Sequence, residues 1–139
     1  MVKVLVFGTF DGLHEGHKDL FHQAKEFGDY LIVVVARDST VKKNKNKTPK
    51  FSEGERLKMV QELEIVNEVK LGSEGHDPSK DRYAIIEIIR PDVVCLGYDQ
   101  AQFEEKLKKE LKEMGLNDTE IKILKPFEPE IYHSSIINN

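Results

Sequence analysis

The stretch that decides the fold is LVFGTFDGLHEGHKDLF, residues 5–21. It opens within a near-continuous apolar run over residues 2–7, which is typical of a strand buried on both faces of a sheet. Apolar residues then recur at helical spacing over residues 17–27, and Gly28 predicts the end of that helix. Glycines, an aspartate and two histidines fill the junction between strand and helix, so this junction is the first candidate for a ligand site.

The rest of the chain repeats the alternation of strand and helix. A capping box, Ser52 with Glu55, and the pair Asp77-Pro78 predict two of the helix starts. The alternation predicts an α/β fold: a single Rossmann-like domain over residues 1–139, with a parallel five-stranded sheet flanked by helices. The further predicted strands are 30–36, 65–72, 92–97 and 120–124, and the further predicted helices are 52–62, 77–90 and 101–114.

The composition is that of a globular protein, with 139 residues, 39% of them hydrophobic and 33% charged. A lone cysteine, Cys95, excludes an internal disulfide and fits a reducing compartment. No apolar run is long enough for a membrane span or a signal peptide, so we expect a cytoplasmic protein without a membrane partner. The net charge of −4 argues against a general nucleic-acid binder. The lysine- and asparagine-rich segment 42–50 is a local basic exception, predicted to be a flexible loop.

The segment after the first strand combines residue types that suit an anion. In open α/β sheets, ligands bind beyond the carboxyl ends of the strands. The segment is neither a P-loop nor GxGxxG, so phosphate would need other donors. Imidazole N–H groups of His14 and His17, with helix-terminal amides near Gly16, suit a phosphate that gains charge in a transition state. A metal site is not expected, because no cysteine or third histidine lies at a suitable spacing.

The other strand ends offer weaker candidates, each with a plain structural alternative. The basic segment follows the second strand and would close over a triphosphate, or is only a solvated loop. Gly97, Tyr98 and Asp99 follow the fourth strand and could contact a base or an acceptor, or be ordinary loop residues. Ser134 and Ser135 could cap a helix or bind phosphate, since both roles use the same donors.

Several motifs resemble one family. GTFDGLHEGH resembles the signature of the cytidylyltransferase-like nucleotidyltransferases, whose hallmark HxGH motif is matched by residues 14–17. VNEV at 66–69, LGYD at 96–99 and HSSII at 133–137 follow in the order expected of that family. Within it, FGTFDGLHEGH, VVVARDSTV and CLGYDQ are similar to the archaeal type of FAD synthase.

The resemblance implies a nucleotidyltransferase fold and activity. It implies transfer of AMP from ATP to FMN, with Mg²⁺ or another divalent cation held mainly through the nucleotide phosphates, and a possible homodimer. Two departures remove cations usual in the family: Glu64 replaces an arginine, and Ile136 replaces a lysine. The catalytic residues implied are His14 and His17, and the nucleotide-binding residues are these two with Gly8, Thr9, Phe10, Lys42, Arg56, Gly97, Asp99, Ser134 and Ser135.

Two other functions stay open from the sequence. One is a cytidylyltransferase that uses CTP and a small phosphorylated alcohol such as glycerol 3-phosphate. The other is a nucleotide-sensing protein that keeps the fold without turnover. The histidine pair argues against pure binding, because a binder has no special need for transition-state donors.

Overall fold

The strands assemble into one parallel sheet. The computed structural model of the chain describes residues 1–45, 48–72 and 78–126, and within them leaves the side chains of 43–45, 78–82 and 99 undescribed. Within those ranges the strands are β1 (Lys3–Gly8), β2 (Tyr30–Val35), β3 (Glu68–Leu71), β4 (Val93–Leu96) and β5 (Glu120–Ile123). Their order across the sheet is β3-β2-β1-β4-β5, and every neighbouring pair is parallel. The predicted α/β fold with a parallel five-stranded sheet is confirmed.

Helices connect the strands and cover both faces of the sheet. In the described ranges they are α1 (Glu15–Lys25), α2 (Asp38–Lys45), α3 (Glu53–Gln61), α4 (Pro78–Ile89) and α5 (Glu104–Glu113), with a 3-10 helix over Tyr98–Phe103. Alternate residues of β1 point to opposite faces, so Val4 and Val6 pack with α1 and α3, whereas Leu5 packs with α4 and α5. Burial on both faces explains the unbroken apolar runs of the central strands.

The strand order defines where a ligand can sit. The chain winds from β1 through β2 to β3 on one side, and then returns to place β4 on the other side of β1. The topological switch point therefore lies between the carboxyl ends of β1 and β4, at Gly8 and Leu96. The connections from β1 to α1 and from β4 to the 3-10 helix both begin at this point.

The prediction of a flexible loop over residues 42–50 is wrong in its first part, because residues 42–45 complete α2. Asp38 in the first turn suits the positive end of the helix, and Val41 is buried and fixes one side of the helix to the protein. Lysine itself is a good helix former. The polar composition concealed the helix: Val41 is the one buried residue among the described side chains of α2, and one apolar position makes no visible period.

Other boundaries shift by a few residues. The first helix begins at Glu15 rather than residue 17, and the third strand is shorter than the predicted 65–72. The predicted N-cap Asp77 and the tail from residue 127 onward, with Ser134, Ser135 and Ile136, lie outside the described residues. Within the described ranges, no helix is long and apolar enough to cross a membrane.

Candidate active site

The two histidines form the N-terminal cap of α1. His14 is the N-cap residue, with extended backbone, and its Nδ1 accepts a hydrogen bond from the backbone N–H of Gly16 at 3.0 Å. His17, three residues later, accepts the backbone N–H of His14 on its own Nδ1 at 3.3 Å. The arrangement is a reciprocal capping box built from two imidazoles. The three-residue spacing of the HxGH motif is therefore the spacing of a helix cap.

These hydrogen bonds also assign the tautomer of each ring. Because both Nδ1 atoms accept, a neutral imidazole carries its proton on Nε2 in each case. The rings stack with centroids 3.9 Å apart and an interplanar angle of 24°, so the two histidines are held as one unit. The motif thus presents a pair of Nε2–H donors beside the amides at the start of a helix, an arrangement suited to phosphate oxygens.

His17 is held in its neutral form. Its ring lies against Phe10 in an edge-on contact, with centroids 5.4 Å apart. Burial, and secondarily the nearby charge of His14, lowers the pKa of His17 from 6.5 to about 4. At neutral pH this side chain is therefore a donor without a net charge, and its proton stays on the ring.

Gly8 and Phe10 shape the floor beneath the histidines. Phe10 is buried with a left-handed backbone, φ 54°, and its ring folds back over the end of β1. A Cβ on Gly8 would lie 2.4 Å from Cζ of that ring, so only glycine leaves room for it. The ring also contacts Phe21 of α1, with centroids 5.2 Å apart. Contact of Gly8, Thr9 or Phe10 with a nucleotide stays a prediction.

Arg56 has no exposed surface, and its guanidinium bonds to the protein itself. Nε donates to the carbonyl of Phe51 at 3.0 Å, and Nη1 donates to the carbonyls of Thr9 at 2.8 Å and Ala36 at 2.7 Å. Nη2 forms an ion pair with Asp38 at 2.6 Å. The predicted contact with nucleotide phosphate stays a prediction, and in this arrangement the guanidinium binds the backbone around the site.

Asp11, in the connection from β1 to α1, holds that connection against the residues that precede α3. Its two carboxylate oxygens accept the backbone N–H groups of Lys50 at 2.7 Å and Phe51 at 2.8 Å. The hydrogen bond from Lys50 is the main reason that the pKa of Asp11 is lowered. Asp11 therefore fixes the turn after β1 against the segment that precedes α3.

The carboxyl ends of β2 and β4 carry the remaining described candidates. Lys42 is an exposed residue of α2, which follows β2. Gly97 is buried, and its N–H donates to Oε1 of Gln100 at 3.0 Å, while Nε2 of Gln100 lies 3.5 Å from the carbonyl of Phe7. Gln100 thus bridges β4 to β1 at the switch point, and sequence reasoning missed it. Its only signal is the three-residue spacing from Gly97, which is that of a capping box.

The remaining predicted residues lie on the surface or outside the described part of the chain. The side chain of Asp99 and both serines, Ser134 and Ser135, lie outside the described part of the chain. Glu64 is exposed in the turn between α3 and β3. Among the described residues, no group of three or more histidine, cysteine, aspartate or glutamate side chains could hold a metal ion.

A parallel sheet of this order whose first helix is capped by HxGH defines a nucleotidyltransferase of the cytidylyltransferase-like class, and comparison with known proteins agrees. The chain belongs to the cytidylyltransferase-like family, whose model matches residues 5–139. It is 40% identical over 137 residues to the FAD synthase of Thermoplasma acidophilum, covering 99% of this chain and 92% of that protein. It is 46% identical over 123 residues to the FAD synthase of Methanosarcina barkeri, covering 88% of this chain and 84% of that one.

A solved structure supports the same assignment of the fold. The crystal structure of the lipopolysaccharide core biosynthesis protein from Thermoplasma volcanium superposes on this chain with a TM-score of 0.82 and 36% identity. The superposition covers 92% of this chain and 99% of the other. The fold therefore extends over nearly the whole of both chains.

Proposed function

We propose that this chain is an FAD synthase, which transfers AMP from ATP to the phosphate of FMN and releases pyrophosphate. The observation that carries the proposal is the similarity to FAD synthases over nearly the whole chain, 40% identity with 99% coverage for the Thermoplasma acidophilum protein. The capping pair of histidines supplies the chemistry that such a transfer needs. We further expect a cytoplasmic enzyme that binds no nucleic acid, and a homodimer is the assembly we would test first.

The reaction is an in-line displacement at phosphorus. An oxygen of the FMN phosphate attacks the α-phosphorus of ATP, a new P–O bond forms, and the bond to the bridging oxygen of pyrophosphate breaks. Charge grows on the bridging and non-bridging oxygens during this step. The Nε2–H groups of His14 and His17, held at the positive end of α1, donate to those oxygens. By analogy with an oxyanion-hole donor, each such imidazole lowers the barrier by about 2.7–4 kcal/mol.

Nucleotide contacts come from the carboxyl edge of the sheet. Lys42 on α2 would hold the outer phosphates, with Ser134 and Ser135 as further donors, and Gly97 and Asp99 would face the base or the acceptor. Mg²⁺ or another divalent cation, when bound, neutralises charge on the triphosphate. Because both oxygens of Asp11 already accept backbone amides, the chain fits an ion held mainly through phosphate oxygens and water.

A product assay tests the proposal directly. The purified chain is incubated with Mg²⁺ and each pairing of ATP or CTP with FMN or glycerol 3-phosphate, and products are separated by chromatography. FAD is expected only with ATP and FMN. A CDP-linked product would reassign the chain to cytidylyl transfer, and ATP binding with no product from any pairing would favour a nucleotide sensor.

A further inference from the structure

We propose that Arg56 is a positioning residue that fixes the position of the histidine loop, residues 9–14, relative to helix α2. In this proposal Arg56 is not a ligand of the nucleotide phosphates. The inference deepens the proposed function and rests on it for the reaction itself. Its structural part, the coupling of Arg56 to His17, can be tested without any substrate.

Arg56 joins three separate segments through their backbone. It donates to Thr9 in the connection from β1 to α1, to Ala36 in the connection from β2 to α2, and to Phe51 just before α3. Along the chain, Arg56 is 47 residues from Thr9, 20 residues from Ala36 and five residues from Phe51. A planar guanidinium with donors in fixed directions can satisfy such a set, whereas the compact ammonium of lysine cannot.

Two further contacts tighten the same junction. Asp11 accepts the N–H of Phe51 while Arg56 binds the carbonyl of that residue, so Phe51 is fixed on both sides of its backbone. The N–H of Ala36 also donates to the carbonyl of Gly8 at 2.9 Å. The histidine loop is therefore tied to the start of α2 and to the start of α3 at once.

The burial of Arg56 argues against a ligand role. The side chain has no exposed surface, and its ion-pair partner Asp38, the first residue of α2, is 37% exposed. To reach a phosphate, the guanidinium would have to release three partly buried carbonyls, and a polar group left unsatisfied away from water is costly. The free energy is therefore lower if Arg56 keeps these hydrogen bonds during the reaction.

A short series of contacts connects Arg56 to the ring of His17. Arg56 holds the carbonyl of Thr9, the next residue is Phe10 with its left-handed backbone, and the Phe10 ring shields His17. If the Thr9 carbonyl is released, the ring shifts and water reaches the imidazole. The same shift moves the Nε2–H donors relative to Lys42 on α2. Misplacement by about 1 Å can lower a rate by roughly 10²-fold.

The test is Arg56→Lys, which keeps the positive charge and replaces the planar guanidinium by a compact ammonium group. For the folded variant we expect kcat for FAD formation to fall by about 10²-fold, with the dissociation constant for ATP changed by less than about tenfold. In isotope-labelled protein without substrate, the pKa of His17 followed by NMR should rise from about 4 toward 6.5. A role in stability alone would not move this pKa in the folded protein.

A matched control makes the same chemical change at Arg37, whose described contacts are to the end of β3 and the first residue of α3. Arg37 donates to the carbonyl of Gly72 at the end of β3, two strands from β1, and pairs with Glu53. Arg37→Lys should leave the His17 titration as in the parent chain. If Arg56→Lys does not fold, Asp38→Asn takes its place. This change removes only the negative charge of the partly exposed ion-pair partner, so it should shift kcat and the pKa of His17 in the same directions by smaller amounts.

The outcomes separate this proposal from the proposed function. An unchanged His17 pKa, or a rise of tenfold or more in the ATP dissociation constant with kcat preserved, would overturn the positioning role. Failure of the parent chain to make FAD would instead overturn the proposed reaction. The NMR titration of the Arg56 variant against the parent would still decide the coupling.

Discussion

Two helices of this protein begin with the same hydrogen-bond pattern made from different residues. At α3, Ser52 accepts the N–H of Glu55 at 3.2 Å, and Glu55 accepts the N–H of Ser52 at 3.0 Å. At α1, His14 and His17 occupy the equivalent positions. Serine and glutamate satisfy the helix start with ordinary cap chemistry, so capping alone does not require imidazoles.

The difference lies in what each pair has left after capping. In the α3 cap, the Glu55 carboxylate carries a negative charge and has no donor, so it would repel a phosphate. The imidazoles of the α1 cap accept through Nδ1 and retain an N–H donor on Nε2. The cap holds these donors at the positive end of a helix, so one set of bonds both starts α1 and orients the two Nε2–H groups.

Exchanging the cap chemistry should have the largest effect on activity. The double variant His14→Ser with His17→Glu gives α1 the cap of α3, so the helix should persist while both imidazole Nε2–H donors are lost. We expect kcat for FAD formation to fall by at least about 10²–10³-fold, the loss typical of even one such donor. Circular dichroism and steady-state kinetics measure the two effects. A folded double variant with near-parental turnover would contradict the assignment of the histidines.

Sequence reasoning succeeded where the signal is local. The apolar runs of the buried strands and the Ser52 cap are each contained within a few residues, and the structure bears out the elements that they predict. The surroundings of Arg56 could not be predicted in this way, because its partners Thr9 and Ala36 are neighbours only after the sheet has formed. The Gln100 bridge between β4 and β1 was missed for the same reason.

A pair of glycine substitutions tests the packing of the Phe10 ring against Gly8, beneath the α1 cap. Gly8→Ala places a methyl group 2.4 Å from the Phe10 ring, so we expect a loss of about 1–3 kcal/mol in the free energy of unfolding. Gly54→Ala in α3 is the matched control, since nothing lies within 4 Å of its added Cβ, and it should gain about 0.5–1 kcal/mol. Chemical denaturation measures both. Equal effects of the two substitutions would show that the Phe10 ring does not need Gly8.

The pH dependence of stability distinguishes a buried histidine cap from an ordinary one. His17 titrates near 6.5 in the unfolded chain and at about 4 in the folded chain. Between these values the unfolded state binds more protons, so the free energy of unfolding decreases as the pH falls from 6.5 to 4 and is unaffected above that range. His17→Gln should give a flatter profile in this window when unfolding is measured at several pH values. Parallel profiles for the two chains would mean that His17 is not shielded in the folded state.

The smallest expected change is at the cap of α3. Ser52→Ala removes the acceptor for the N–H of Glu55, and we expect a loss of about 1 kcal/mol in the free energy of unfolding. Because this cap carries no donor for the reaction, kcat should not show the loss expected for the histidine exchange. Urea denaturation and kinetics on the same preparation measure both quantities. If kcat fell as far as for the exchanged α1 cap, the start of α3 would take part in organising the site through Arg56 one turn later, and the two caps would differ in chemistry but not in importance.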